Sequence, residues 1–129
     1  MKHIFVFLIA VTFFGCSRPE SKNAELLEPV AFATTLKADP SIILLDVRTP
    51  EELNDGYIGG ALNLDFNSPD FKNSLEKLDH SKSYFVYCAS GKRSGKAKDI
   101  MKEMGFQRIT AMEGGLHAWT AAGLPLNKP

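Results

Sequence analysis

Short apolar runs alternate with helix-patterned segments from residue 29 onward, and that alternation leaves few folds open. Ile42-Ile43-Leu44-Leu45 ends in Asp46. Ala61-Leu62-Asn63-Leu64 is a second run, Ser83 to Tyr87 a third and Gln107 to Ala111 a fourth. Each is too short for a helix. The first and third are apolar without a break, as strands covered on both faces are. The segments between them carry helix signals. Pro29 to Ala38 predicts a helix packing Val30, Ala33 and Leu36. Thr49 as N-cap, Pro50 at the first helical position and the acids Glu51 and Glu52 start a brief helix that stops at Asp55-Gly56. Asn67-Ser68-Pro69 opens another, with Phe71, Leu75 and Leu78 on one face. Ser94 to Met104 sets Ala97, Ile100, Met101 and Met104 on one face and Lys96, Lys98, Asp99, Lys102 and Glu103 toward water, and Gly105 closes it. Gly114 to Ala122 is a last helix, ended by Gly123 and Pro125. Strands and helices taking turns predict a three-layer α/β domain with a mostly parallel sheet. Sites in such sheets form at the C-terminal ends of strands. Asp46, Cys88 and Glu113 all follow strand ends, so they are expected on one rim.

The third run leads directly into Cys88-Ala89-Ser90-Gly91-Lys92-Arg93-Ser94, and a helix leads out. A thiol at a strand end, over a short loop and before a helix N-terminus, sits where a thiolate is easiest to hold. N–H groups from Ala89 through Ser94 can curl into an anion nest, and Gly91 permits the backbone angle this needs. Lys92 and Arg93 add positive charge. A free thiol titrates near pH 8.5, and lowering that by two units takes about 2.7 kcal/mol. A helix N-terminus supplies up to about 2 kcal/mol, and charge-assisted N–H bonds supply the rest. Cys88 is therefore the expected nucleophile.

The start of the chain is of a different kind. Met1-Lys2-His3 is weakly basic, Ile4 to Phe14 is apolar apart from Thr12, and Gly15-Cys16 follows. The run is too short to span a bilayer, which takes about 20 apolar residues, and has the proportions of a secretory leader. Phe13-Phe14-Gly15-Cys16 resembles a bacterial lipobox, with Phe13 where Leu is usual. Residues 1–16 are read as a signal peptide with a lipobox-like end, cleavage leaving a lipidated Cys16 at the new N-terminus, and residues 17–28 as a polar tether to the domain. The chain is then exported and lipid-anchored, with the domain facing the periplasm or the cell exterior. The chain has only two cysteines, so a lipid on Cys16 leaves Cys88 no partner within the chain. With fifteen basic and fifteen acidic residues, no broad basic face argues for nucleic acid.

Four segments, in order, resemble the rhodanese-like sulfurtransferases: Leu45 to Glu52 with its Asp-Val-Arg, Gly56-Tyr57-Ile58-Gly59-Gly60-Ala61-Leu62-Asn63, the Cys88 loop, and Glu113-Gly114-Gly115-Leu116-His117-Ala118-Trp119 with Gly123-Leu124-Pro125. The resemblance covers roughly residues 29–126. Tyr57 stands where the family usually has His, a position the resemblance treats as peripheral to the thiol. The family implies a three-layer α/β/α domain with a mostly parallel five-stranded sheet. It also implies that the Cys88 thiolate takes the outer sulfur of a small anionic donor such as thiosulfate, releasing sulfite. The resulting Cys88 persulfide passes its sulfur to a thiol, or to cyanide. Catalytic roles then fall to Cys88 and Arg93, donor binding to Ala89, Ser90, Gly91, Lys92 and Ser94, and support to Asp46, Arg48 and Glu113. No metal or organic cofactor is implied. The partners are the sulfur donor, a small-molecule or protein thiol acceptor, and the membrane through the lipid anchor.

Two other readings remain open. The domain could be a persulfide carrier serving one protein partner. Phosphatases and arsenate reductases also use a Cys, an anion nest and an Arg, with five residues between them. This chain has four: Ala89, Ser90, Gly91 and Lys92. The tighter ring suits one sulfur better than a tetrahedral phosphate. His80, His117 and Trp119 are expected to serve packing or the surface.

Overall fold

A computed structural model describes residues 24–129. The expectations for the leader, for Cys16 and for residues 17–23 lie outside the described residues. The chain runs β1 (Leu26–Leu27), α1 (Pro29–Ala38), β2 (Ile43–Asp46), a 3-10 turn (Glu51–Asp55), β3 (Leu62–Asn63), α2 (Phe71–Glu76), β4 (Ser83–Tyr87), α3 (Lys92–Glu103), β5 (Arg108–Met112) and α4 (Gly115–Ala121). The five strands lie in the order β1-β5-β4-β2-β3. Every pairing is parallel.

Helices cover both faces. On one, Phe71 and Leu75 of α2 and Ala97 and Met101 of α3 pack on Leu45, Tyr84, Val86 and Ile109. On the other, Phe32 of α1 and Leu116 and Trp119 of α4 pack on Leu44, Phe85, Tyr87 and Met112. Adjacent residues of β4 thus feed opposite cores, and its last four positions, Tyr84 to Tyr87, are buried. That is why this strand reads as a continuous apolar run. An apolar cavity of about 520 Å³ lies beside α1 and Trp119, and none of its lining residues belongs to the Cys88 loop.

Three expectations are corrected. First, the tether does not extend to residue 28. Leu26 and Leu27 pair with Ala111 and Met112, and the Thr110 hydroxyl donates to the Ala24 carbonyl. A two-residue strand has no period to read, and half of Leu26 is exposed (53%). Second, α1 presents Phe32 and Thr35 to the core rather than Val30, which is 49% exposed. Third, the segment after Pro50 is a single 3-10 turn. Its Thr49 does not cap with its own oxygen. Instead the Thr49 N–H and hydroxyl both donate to the Glu52 carboxylate, at 2.9 and 3.1 Å. Tyr57 exchanges backbone hydrogen bonds with Asn127, pinning the C-terminal tail.

Candidate active site

β4 delivers Cys88 to the rim, and the chain turns at once through Gly91, whose φ of 96° few other residues would adopt. The N–H of Gly91 donates to Cys88 Sγ at 3.1 Å. Ser94 Oγ lies 3.4 Å from the sulfur and 3.2 Å from the Gly91 carbonyl, and its one proton can go to either. Burial works against charge on Cys88 and is the largest single influence. The Ser94 hydroxyl and the N–H groups of Ser94, Gly91 and Ser90 together outweigh it, so the thiol titrates below its ordinary value. This is the nest the loop sequence predicts.

The thiol is not at an open mouth, although Ala89 and Ser90 are small. Cys88 has 0% exposure. The N–H groups close around the sulfur, and α4 closes the loop from behind: Leu116 N–H donates to the Cys88 carbonyl at 2.8 Å and His117 N–H to that of Ala89 at 3.0 Å. A second sulfur on Cys88 would project about 2 Å farther.

Arg93 is committed. Its Nη1 and Nη2 donate to the two oxygens of Glu52 at 2.8 and 2.7 Å, a bidentate pair. Arg93, with help from the Thr49 hydrogen bonds, holds the Glu52 carboxyl down at about 2. Glu52 in turn raises the Arg93 guanidinium above its ordinary value. Lys92 is exposed. Among the described residues it makes no ion pair, so it is the unpaired cation of the loop.

Asp46 and Arg48 lie one step below. Arg48 Nε donates to both Asp46 oxygens at 3.0 and 3.1 Å, and Nη2 to Oδ2 at 2.6 Å. Its remaining donors reach the carbonyls of Glu52 at 3.2 Å and Gly56 at 2.8 Å. Burial opposes charge on Arg48, and Asp46 more than restores it. The guanidinium lies over the Tyr87 ring, 5.7 Å from its centre. Burial, with Asp46 beside it, pushes the Tyr87 phenol up, so its hydroxyl stays protonated, and its oxygen accepts the Ile58 N–H at 3.0 Å. Asn63 ties the bend by donating to the carbonyls of Asp46 and Arg48. The result is a linear brace: Asp46 holds Arg48, Arg48 holds the backbone of Glu52, and the Glu52 carboxylate holds Arg93 in the loop.

The sequence places Asp46, Arg48, Cys88, Gly91, Arg93 and Ser94 in this constellation, and the structure brings them together. Glu113 is the exception. Its side chain is exposed with no hydrogen bond or ion pair among the described residues, and its contribution is a backbone N–H donated to Leu27. A residue at a strand end reaches the rim only if the chain turns its side chain inward, and here it turns out. Glu52 was missed. Its Thr-x-x-Glu spacing with Thr49 was legible as a cap, but nothing local marks a partner 41 positions away.

A parallel α/β sheet with a buried cysteine nested in N–H groups at the head of its central strand defines a class of proteins that can hold an anionic sulfur. The chain belongs to the rhodanese-like domain family, whose profile matches residues 30–122. It is similar to a thiosulfate:glutathione sulfurtransferase of Saccharomyces cerevisiae, 29% identical and covering 81% of this chain and 86% of the relative. It is also similar to a sulfurtransferase of Allochromatium vinosum, 33% identical over 68% and 80% of the two chains. Among solved structures, a rhodanese-related protein from Thermoplasma volcanium superposes with a TM-score of 0.71 at 28% identity, covering 81% of this chain and 98% of that one.

Proposed function

We propose that this protein is a thiosulfate sulfurtransferase working through a persulfide on Cys88. The observation that carries the reading is the nest: Cys88 Sγ accepts the Gly91 N–H at 3.1 Å and titrates low. In the first half-reaction the Cys88 thiolate attacks the outer sulfur of thiosulfate. A sulfur–sulfur bond forms on Cys88, the donor's own sulfur–sulfur bond breaks, and sulfite leaves with the electron pair. The terminal sulfur of the persulfide is anionic, and the same N–H groups receive its charge. In the second half-reaction an acceptor thiolate attacks that sulfur and leaves as a persulfide, restoring the Cys88 thiolate.

In this reading Ala89, Ser90, Gly91 and Ser94 line the nest, and Lys92 draws in the anionic donor. Arg93 acts chiefly by holding the loop against Glu52, because both of its terminal nitrogens are taken. Asp46 and Arg48 carry that brace. We further propose that residues 1–16 are an export leader, that Cys16 carries lipid, and that the domain works outside the cytoplasm at a membrane surface. With Cys16 lipidated, Cys88 has no cysteine in the chain with which an oxidising compartment could pair it.

The test is direct. The chain lacking its first sixteen residues is reduced, treated with thiosulfate and weighed by mass spectrometry. One extra sulfur atom on Cys88, absent in Cys88→Ser, is expected. A folded, reduced wild type with no adduct overturns the reading. Slow turnover with small thiols but rapid transfer to a protein thiol would assign the carrier role. Turnover of a phosphate ester with none of thiosulfate would assign phosphatase chemistry. For the anchor, globomycin-sensitive processing and a lipid mass on Cys16 are expected, and an unmodified mature N-terminus at another residue would refute it.

A further inference from the structure

The nest around the sulfur depends on a second element behind it. The carbonyls of Cys88 and Ala89 accept N–H groups of Leu116 and His117, at 2.8 and 3.0 Å. No described peptide bond is cis. A trans peptide carries its C=O and the next N–H on opposite sides. With those two carbonyls turned toward α4, the N–H groups of Ala89 and Ser90 must point away from it; the Ser90 N–H is among the groups that lower the Cys88 titration, beside the Gly91 N–H bonded to the sulfur at 3.1 Å.

α4 comes this close because of how it starts. Gly114 and Gly115 both take left-handed angles, with φ of 72° and 60°. A Cβ on Gly115 would lie 2.6 Å from the carbonyl carbon and oxygen of Ala89 and from the oxygen of Cys88. These are backbone atoms of the loop itself and cannot swing aside as a flexible side chain would. From the loop's side, a Cβ on Gly91 would meet Gly114 N at 3.4 Å. Two glycine-bearing turns, from elements far apart in sequence, are packed back to back.

We propose that Gly115 is a positioning residue for the sulfur site: its missing Cβ lets α4 seat its N–H groups on the carbonyls of Cys88 and Ala89, and that seating keeps the Ser90 N–H turned toward the sulfur. The proposal rests on Cys88 being the reactive thiol. It makes the charge state of Cys88 depend on a residue that never touches the sulfur. Adding a Cβ pushes the two carbonyls away, rotates the peptides and withdraws a donor from the thiolate.

Gly123 supplies the control. It too is left-handed, with φ of 74°, but a Cβ there meets nothing within 4 Å. Gly115→Ala and Gly123→Ala therefore share a backbone strain and differ in contact with the loop. The measurement is the rate of iodoacetamide alkylation of Cys88 against pH, read by mass spectrometry of the Cys88 peptide in the full chain, beside Tm. Both variants should melt lower than wild type. In Gly115→Ala the alkylation profile should move up by about one pH unit, a roughly tenfold slower reaction on its acid side, while Gly123→Ala overlays wild type. A folded Gly115→Ala with the wild-type profile, or an equal shift in Gly123→Ala, overturns the proposal. Should Gly115→Ala fail to fold, the wild type decides. The amide resonances of Leu116 and His117 should titrate with the midpoint of Cys88, and flat amides overturn the proposal. Alkylation needs no sulfur donor. A chain that forms no persulfide yet shows the Gly115 shift would refute sulfur transfer and leave the positioning role standing.

Discussion

Two arginine–carboxylate pairs stand one above the other beside the thiol, and they differ in depth. Asp46–Arg48 is almost wholly buried, with side-chain exposures of 0% and 3%. Glu52–Arg93 is at the surface edge, with 32% and 23%. Both are bidentate. The lower pair has no water to fall back on, so protein answers it: the Arg48 N–H donates to the Asp46 carboxylate, and the carbonyls of Glu52 and Gly56 accept from the guanidinium. The upper pair keeps water on one side and can be broken without leaving a stranded charge. The lower is thus expected to determine whether the rim exists, the upper how it is held.

The largest effect that could break this contrast is on stability. Asp46→Asn leaves Arg48 charged and buried, and should cost about 3–5 kcal/mol in urea unfolding. Glu52→Gln should cost on the order of 1 kcal/mol, because water and salt screen that pair. Equal losses would erase the distinction. The next effect is on rate. With its brace gone, Glu52→Gln should form persulfide roughly tenfold more slowly, a change of about 1.4 kcal/mol in the barrier, while staying folded. Stopped-flow mixing with thiosulfate reads this, and an unchanged rate would leave Arg93 with no part in holding the loop.

A third test follows pH. The Glu52 carboxyl titrates at about 2 in the fold, against about 4.3 in an unfolded chain. A depressed carboxyl stabilises the fold fully above its unfolded value and loses that contribution as pH falls toward 2. The stability gap between wild type and Glu52→Gln should hence be constant above about pH 5 and close below it. A gap that persists at pH 2 would show that it does not come from this ionisation. Lys92→Ala should act on donor capture alone, raising KM for thiosulfate severalfold with kcat retained, and less so at high salt. The smallest effect is expected at Glu113→Ala: stability within about 0.5 kcal/mol of wild type and unchanged transfer.

What could be read from the sequence follows the range of the interactions. The β4 run, the loop after it and the face of α3 are set by neighbours in the chain, and their patterns announced them. Asp46 and Arg48 are two positions apart, so their pairing was within a local motif. Glu52–Arg93 joins residues 41 apart, and the α4 contacts join Cys88 to Leu116; no local period carries either. Strand β1 escaped for another reason. Its two residues are held by backbone hydrogen bonds, which every sequence can make.

The smallest strand has the widest consequence. β1 is the first strand among the described residues but lies beside β5, the last, and the carbonyls of Glu25 and Leu27 receive the N–H groups of Ala111 and Glu113. Lys98 and Lys102 of α3 reach across to the Glu25 carboxylate. Without these few residues β5 would become a bare edge, its donors and acceptors open to the edge of another copy. A cut just before Cys16 spares this plug. A cut past Leu27 would remove it and leave β5 free to pair with the edge of another copy.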